Sequence, residues 1–279
     1  MTVTVFDPTP CALGEGALWH PERGQLFWFD ILGKRLLTRS GDGARHWQFD
    51  EHVSAAGWID RDTLLVASET ALSRFDLTTG ETAKVIALEA DTPTTRSNDG
   101  RADPLGGFWI GTMNKDGSEG GGAIYRFFRG DLRRLYAPVS IPNAICFAPD
   151  GSRAYFADTA RQAILCVALD PEGWPAADPE TFADLSAEGL NPDGTVTDRD
   201  GCLWNAQWGA ARVARYGPDG RFLDAVSLPA QQTTCPAFGE DGRLYCTSAA
   251  DGLPEGPDEG CTFTFETDAR GWPEPRVIL

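Results

Sequence analysis

The sequence predicts an all-β fold, a six-bladed β-propeller with four-stranded blades around a central channel, in one domain spanning residues 1–279. The first observation is a turn containing Gly or Asp that recurs at intervals of roughly 38 to 50 residues, which is the length of one blade. The second is an apolar run after each turn, and the third is the spread of 31 glycines and 19 prolines in short turn-like groups. The six turns are centred on Gly24, Asp62, Gly106, Gly151, Gly201 and Gly242.

The apolar run after each turn is typical of a strand that is buried on both faces. These runs are the predicted second strands of the blades, at residues 26–29, 64–67, 108–110, 154–157, 203–206 and 244–246. More alternating runs follow and predict third strands, at residues 72–75, 123–127, 163–167, 213–216 and 262–265. Six such units account for the whole chain.

The ring must close because a blade cannot bury both of its faces alone. We expect the strand-like segment 2–6 to complete the last blade beside the C-terminal segment 276–279. This pairing would hold both termini in one sheet. A β-sandwich or an up-and-down barrel is the rival all-β fold, but neither predicts a repeat of this length.

Polar residues recur at one position of the repeat. The first strand of each blade lines the channel of a propeller, so equivalent positions in different blades face one another across the axis. Counting back eight residues from the turn reaches Asn98, Asn143, Asp193 and Thr234 in blades three to six, and Glu15 lies nine residues before the first turn. Four of the six blades therefore place a carboxylate or a carboxamide at one level of the channel.

Converging oxygen donors are typical of a site for a hard cation. We predict Glu15, Asn143 and Asp193 as ligands, since they supply two negative charges and one neutral carbonyl and leave positions for water and substrate. For any one of them alone, a hydrogen bond to turn backbone would be the better explanation. The position that these residues share in the repeat favours a cation site over separate hydrogen bonds to turns. Calcium, magnesium, manganese, iron(II) and zinc all accept such ligands, so the identity of the one divalent metal ion stays open.

Five short segments carry a family resemblance: residues 13–19 (LGEGALW), 98–101 (NDGR), 111–113 (GTM), 141–143 (IPN) and 191–194 (NPDG). In this order they resemble the gluconolactonase family, which includes senescence-marker-protein-30 and regucalcin. The resemblance runs nearly from end to end of the chain. It implies a six-bladed propeller that hydrolyses sugar lactones with a divalent metal ion held by the three ligands named above.

The resemblance also implies which residues contact the substrate. The family's arginine and asparagine beside the metal correspond to Arg96 and Asn98, which are two residues apart and so on one strand face. A further acidic substrate contact corresponds loosely to Asp116. Two positions depart from the family pattern, because Ala17 stands where proline is frequent and Ala144 where glycine is usual. Neither of these is a predicted ligand.

Our hypothesis for function is the hydrolysis of a sugar (aldono) lactone to its aldonic acid. The metal would polarise the ester carbonyl, Asp193 would act as general base towards water, and Arg96 and Asn98 would orient the sugar. The chain has no GxSxG motif and its three histidines show no paired spacing, which argues against a serine nucleophile and a histidine-rich zinc centre. Two alternatives stay open: a metal-dependent esterase or phosphotriesterase of this fold, and a non-enzymatic calcium-binding propeller.

Charge and composition limit the partners. With 41 acidic and 24 basic residues the formal net charge is -17, which opposes binding to nucleic acid and to anionic membranes. No obligate protein partner is indicated, and a small sugar lactone is the expected partner. The first residues lack the pattern of a secretory signal, and the seven cysteines form no CxxC pair, so we expect a cytoplasmic protein.

Overall fold

Six antiparallel four-stranded sheets form a closed ring in the computed structural model, which describes residues 2–41 and 43–279. The predicted six-bladed propeller is confirmed. Each predicted second and third strand lies within the corresponding observed strand, and each predicted turn connects the first and second strands of a blade. The described residues include no helix that is long and apolar enough to cross a membrane.

The strands are numbered along the chain, and β1 (Thr4–Asp7) belongs to the last blade. Blade one contains β2 (Gly14–His20), β3 (Gln25–Asp30), β4 (Arg35–Ser40) and β5 (Gly43–Gln48). Blade two contains β6 (Val53–Asp60), β7 (Thr63–Ser68), β8 (Ala71–Asp76) and β9 (Thr82–Ala87). Blade three contains β10 (Thr95–Ala102), β11 (Phe108–Asn114), β12 (Gly122–Phe128) and β13 (Asp131–Val139).

The second half of the ring repeats this order. Blade four contains β14 (Pro142–Phe147), β15 (Arg153–Asp158), β16 (Ala163–Ala168) and β17 (Glu180–Asp184). Blade five contains β18 (Asn191–Thr197), β19 (Leu203–Trp208), β20 (Arg212–Tyr216) and β21 (Phe222–Ser227). Blade six contains β22 (Gln232–Phe238), β23 (Arg243–Ala249), β24 (Thr262–Glu266) and the N-terminal β1. Single turns of 3-10 helix occur at Thr159–Arg161, Ser186–Glu188 and Glu240–Gly242.

The N-terminal strand closes the ring, as expected, but its expected neighbour was wrong. Strand β1 pairs with β24, where Thr4 lies opposite Thr264 and Val5 opposite Phe263. The C-terminal segment 276–279 leaves blade six and packs against blades two and three, because the amides of Val277 and Ile278 donate hydrogen bonds to carbonyl oxygens of those blades. The edge of β24 is therefore satisfied by the N-terminus alone.

The core lies between the blades. The described residues form six apolar clusters, and each cluster combines residues from two neighbouring blades around the ring. The tryptophans of the second strands, Trp28, Trp109 and Trp204, are at most 1% exposed within these interfaces. Burial of apolar surface on both faces of each blade is the main stabilising contribution that this geometry offers.

The residues just before the C-terminal segment lie at one end of the inner strands. Residues 272–275 lie beside the ends of the inner strands of blades three to six, around a cavity of about 40 Å³. Glu274 forms an ion pair with the buried Arg101 at the end of β10, and its carbonyl accepts a hydrogen bond from the indole of Trp58. The opposite end, where the inner strands begin, holds the predicted site residues.

A buried ion pair ties the turn between β10 and β11 to the third strand of blade three. Asp103 accepts hydrogen bonds from the amides of Leu105 and Gly107, at 2.9 and 3.0 Å, and Arg126 Nε donates to its second oxygen at 2.7 Å. Both side chains of the pair are at most 1% exposed. The guanidinium group also lies 4.4 Å from the ring centres of Phe128 and Trp174.

We expect Asp103→Asn to lower the free energy of unfolding by about 3 kcal/mol, since it leaves a buried guanidinium charge without its counter-charge. The matched control is Asp131→Asn, which removes the exposed pair with Arg133 and should change stability by less than about 1 kcal/mol. Urea unfolding of the three proteins measures both changes. Equal losses in the two variants would contradict this role of the buried pair.

Candidate active site

Each inner strand carries a bulge at the level of the predicted site residues. One additional residue of the first strand is inserted opposite the second strand in all six blades of the described chain. Bulges bend a strand and redirect its side chains, and they are frequent beside active sites. The bulges fall between Glu15 and Leu18, Val53 and Ala55, Ser97 and Gly100, Asn143 and Cys146, Pro192 and Thr195, and Thr233 and Pro236.

The bulges of blades one and four contain a residue in the left-handed region, Gly16 with φ 58° and Ala144 with φ 58°. At Gly16 a side chain is excluded, since a Cβ would lie 2.1 Å from the carbonyl oxygen of Ser54. Ala144 stands where glycine is usual in the family that the sequence resembles. The departure keeps the left-handed backbone, at a conformational cost of about 1 kcal/mol for a residue with a Cβ.

Two carboxyl groups meet at the axis. The side chains of Glu15 and Asp193 are hydrogen-bonded to one another and are only 5% and 3% exposed. Each also accepts a backbone N–H from the following glycine, Gly16 at 3.1 Å and Gly194 at 2.9 Å. Burial, and then the charge of Asp99, raises the pKa of Glu15 to about 8. Burial, and then the charge of Glu15, raises the pKa of Asp193 well above its usual range.

The two predicted amides lie side by side next to these acids. Asn98 Nδ2 donates hydrogen bonds to Asn143 Oδ1 at 3.1 Å and to the carbonyl oxygen of Pro142 at 3.0 Å. Asn143 Nδ2 donates to Thr159 Oγ1 at 2.9 Å. Both amide side chains are buried. The structure therefore brings the acids and amides of four blades together at one level of the channel.

Arg96 brings a positive charge to the same place. Its Nη1 donates to Asn98 Oδ1 at 2.8 Å and to the carbonyl oxygen of Ser97 at 2.9 Å. Burial lowers the pKa of Arg96 to about 10, against the attraction of the nearby carboxylates Glu15 and Glu69. The guanidinium group therefore stays protonated at neutral pH. Its positive charge interacts favourably with the carboxylate of Glu15.

Asp116 lies apart from this cluster. It is exposed in the loop between β11 and β12, where its carboxylate accepts hydrogen bonds from the amide and hydroxyl of Ser118 at 3.0 and 2.6 Å. The neighbouring Lys115 holds the start of the loop through an ion pair with Glu69 at 2.5 Å, and Glu69 also forms a hydrogen bond with His52. The role of Asp116 as a substrate contact stays a prediction.

Sequence reasoning missed two polar residues of the site. Asp99 is buried beside Glu15 and Asp193, where its carboxylate accepts the amide of Ile145 at 2.7 Å and burial raises its pKa to about 6. The sequence signal for Asp99 was its position directly after Asn98, which places it within the bulge of blade three. Thr159 had no local signal, because it follows the second strand of blade four and not the first.

The donor set fits a divalent cation. Among the described residues no group of three or more His, Cys, Asp or Glu side chains is arranged to hold a metal. The cluster instead combines the two carboxylates of Glu15 and Asp193 with the amide oxygen of Asn143, and hard cations bind such oxygen donors. Burial, and then the charge of a neighbouring carboxylate, raises the pKa of both acids, and a bound cation would offset both effects.

Comparison with known proteins places the chain in a family. Residues 13–250 match the family described as SMP-30/Gluconolactonase/LRE-like region. The chain belongs to this family. It is 40% identical to an L-arabinolactonase from Azospirillum brasilense, over 96% of this chain and 93% of that protein. It is 33% identical to a 6-deoxy-6-sulfogluconolactonase from Pseudomonas putida, over 95% of each.

A solved structure of a family member has nearly the same fold. It is a calcium-binding protein, regucalcin, from Agrobacterium tumefaciens, with a TM-score of 0.96 and 38% sequence identity. The similarity covers 99% of this chain and 97% of that chain. The ring of six blades described above is therefore the architecture of this family member as well.

We expect the stability of the metal-free protein to fall as pH rises from about 4.5 to about 8, because the folded state keeps a proton on Glu15 that the unfolded chain releases. The stabilisation that the proton on Glu15 provides is fully present below the ordinary glutamate pKa of 4.5, and it is lost as the pH rises through the raised pKa of about 8. Glu15→Gln removes one titrating group while Asp99 and Asp193 keep their raised pKa values, so its melting temperature should fall less steeply with pH than that of the wild type. Scans in chelator across the window measure the difference between the two proteins.

The matched control is Glu119→Gln, which changes an exposed glutamate of the loop between β11 and β12 and should leave the dependence unchanged. Wild-type and Glu15→Gln melting temperatures that run parallel across the window would contradict the raised pKa of Glu15.

Proposed function

We propose that the chain is a hydrolase of carboxylic esters whose substrate is a sugar (aldono) lactone and whose product is the aldonic acid. The observation that carries the proposal is the buried pair of Glu15 and Asp193, which faces the amides of Asn98 and Asn143 and the charge of Arg96. The names of the related L-arabinolactonase and 6-deoxy-6-sulfogluconolactonase support this reaction class. Both names indicate enzymes that act on lactones, which are cyclic esters, of sugar acids.

Glu15, Asn143 and Asp193 would hold one divalent metal ion. When bound, the ion supplies positive charge that polarises the ester carbonyl and lowers the pKa of a nearby water. The solved family member described as calcium-binding supports a divalent ion of this kind. The identity of the ion is decided by experiment, since this donor set suits several.

Asp193 acts as the proton acceptor in this proposal. Water attacks the lactone carbonyl carbon while Asp193 takes its proton, and the tetrahedral intermediate then releases the ring oxygen. The bond between the carbonyl carbon and the ring oxygen breaks, and that oxygen takes the proton from Asp193 to become a hydroxyl group, which returns Asp193 to its carboxylate form. The carbonyl carbon becomes the carboxylic acid of the open-chain product. Burial of Asp193 among polar groups holds it in one orientation for this transfer.

Arg96 and Asn98 bind the sugar. The described hydrogen bonds of Arg96 use only Nη1, which leaves its other guanidinium donors for substrate oxygens. A buried guanidinium beside an amide recognises hydroxyl groups better than it does an apolar leaving group, which favours a sugar over an aromatic ester. Asp116 would add a contact from the exposed loop.

The decisive test is hydrolysis of a panel of five- and six-carbon aldonolactones by metal-stripped protein, with calcium, magnesium, manganese, iron(II) and zinc restored in turn. We expect turnover that depends on the ion, and a loss of at least about 100-fold in kcat/KM for Asp193→Asn, because the proton acceptor is removed. A pH-stat records the acid that is released.

The matched control is Asp150→Asn, which changes an exposed aspartate in the turn between β14 and β15 that bonds only to Ser152 in the described structure. It should keep wild-type rates. A folded protein that binds the ions but hydrolyses none of the lactones would reject the proposal in favour of another ester or of calcium binding without catalysis.

A further inference from the structure

A chain of hydrogen bonds crosses three blades behind the paired acids. Arg96 Nη1 donates to Asn98 Oδ1 at 2.8 Å, and Asn98 Nδ2 donates to Asn143 Oδ1 at 3.1 Å. Asn143 Nδ2 donates to Thr159 Oγ1 at 2.9 Å, and Thr159 Oγ1 donates to the carbonyl oxygen of Pro192 at 2.7 Å. Four consecutive bonds therefore join blades three, four and five.

The chemistry of the two ends sets the direction of every bond in between. A guanidinium group only donates, so Asn98 must present its oxygen to Arg96 and its NH₂ to Asn143. At the other end a carbonyl oxygen only accepts, so the hydroxyl proton of Thr159 is committed to Pro192 and its oxygen accepts from Asn143. Asn143 is thereby held with its NH₂ on Thr159 and its oxygen on the side of Asn98.

We propose that Thr159 is a positioning residue for the metal site: its hydroxyl orients the amide of Asn143 and at the same time holds the backbone before Asp193. It bonds the side chain of one proposed ligand and the carbonyl of Pro192, the residue that precedes the other. The inference rests on the proposed function, because it assumes that these residues bind a cation.

The turn that carries Thr159 is itself held in place. Asp158 accepts hydrogen bonds from the amides of Ser140 and Ile141 at 2.9 and 3.0 Å, and the amide of Thr159 donates to the carbonyl oxygen of Ile141 at 2.9 Å. On its other side Gln162 Nε2 donates to Asn191 Oδ1 at 3.1 Å. These contacts hold the turn, and with it the hydroxyl of Thr159, against the start of β14 and the start of β18.

Loss of the hydroxyl has a specific chemical consequence. Without an acceptor at Thr159, the hydrogen bond from Asn98 Nδ2 is the remaining contact in the described structure that orients the amide of Asn143, so the amide is held less firmly against presenting NH₂ where a cation needs an oxygen. Groups that orient metal ligands in this way typically contribute roughly 10- to 100-fold in metal affinity. We therefore expect Thr159→Val to weaken cation binding by a factor in this range, and Thr159→Ser to retain it.

Thr197 provides a matched control. Its hydroxyl donates to the carbonyl oxygen of Phe147 at 2.7 Å, so it makes a bond of the same type and length between the same two blades, beyond the bulge and away from the ligands. Thr197→Val removes an inter-blade hydroxyl bond without touching Asn143. It should leave cation affinity at the wild-type value.

The experiment is calorimetric titration of metal-stripped wild type, Thr159→Val, Thr159→Ser and Thr197→Val with Ca²⁺ and with Mn²⁺ alone. Thermal unfolding in chelator checks that each variant is folded. A second background uses Asn143→Asp, because a carboxylate presents oxygen in either orientation and does not need Thr159. The loss caused by Thr159→Val should shrink to less than about threefold in that background, which a general loosening of the blades would not produce.

Each outcome bears on the inference. Wild-type affinity in Thr159→Val, or an equal loss in Thr197→Val, overturns it and leaves the proposed function standing. Absence of cation binding by the wild type overturns both. A loss that is confined to Thr159→Val and is relieved by Asn143→Asp supports it. If Thr159→Val does not fold, Thr159→Ala and Thr197→Ala take the place of the two valine variants and are judged by the same outcomes.

Discussion

Apolar contact between neighbouring blades is the constraint on which the rest of the structure depends. Each blade has two apolar faces, and water is excluded from both only when the ring is complete, as the six inter-blade clusters of the described chain show. The N-terminal β1 completes the sixth sheet by pairing with β24. The inner strands are then forced around a common axis, so that residues distant in sequence become neighbours in the channel.

Convergence of the inner strands explains how two acids can be buried together. The bulges direct Glu15 and Asp193 into the channel, and the packing of the ring compensates for the unfavourable burial of their charges. A proton shared between the acids or a bound cation relieves the repulsion that remains. The second possibility links the stability of the site to its proposed chemistry, since the same charge would polarise an ester.

The hydrogen bonds around the acids have a direction, whereas the contacts of the apolar core have none. Hydrogen bonds from Arg96 through the amides of Asn98 and Asn143 to Thr159 run in one direction, so each member decides the orientation of the next. The exposed loop between β11 and β12, which carries Asp116, is outside this network. In the proposed function, the buried network would serve the reaction and the exposed loop would vary with the choice of sugar.

Local patterns in the chain were enough for the blade period, the second strands, five of the third strands and the level of Glu15, Asn98, Asn143 and Asp193, because each depends on its distance from a nearby turn. They were not enough to place the C-terminal segment 276–279. Its apolar sequence is typical of a strand, but it contacts blades two and three instead of joining the sheet of blade six. Thr159 was equally invisible. Its partners lie 16 and 33 residues away: Asn143 is reached once β14 and β15 have paired, and Pro192 only once blades four and five have packed together.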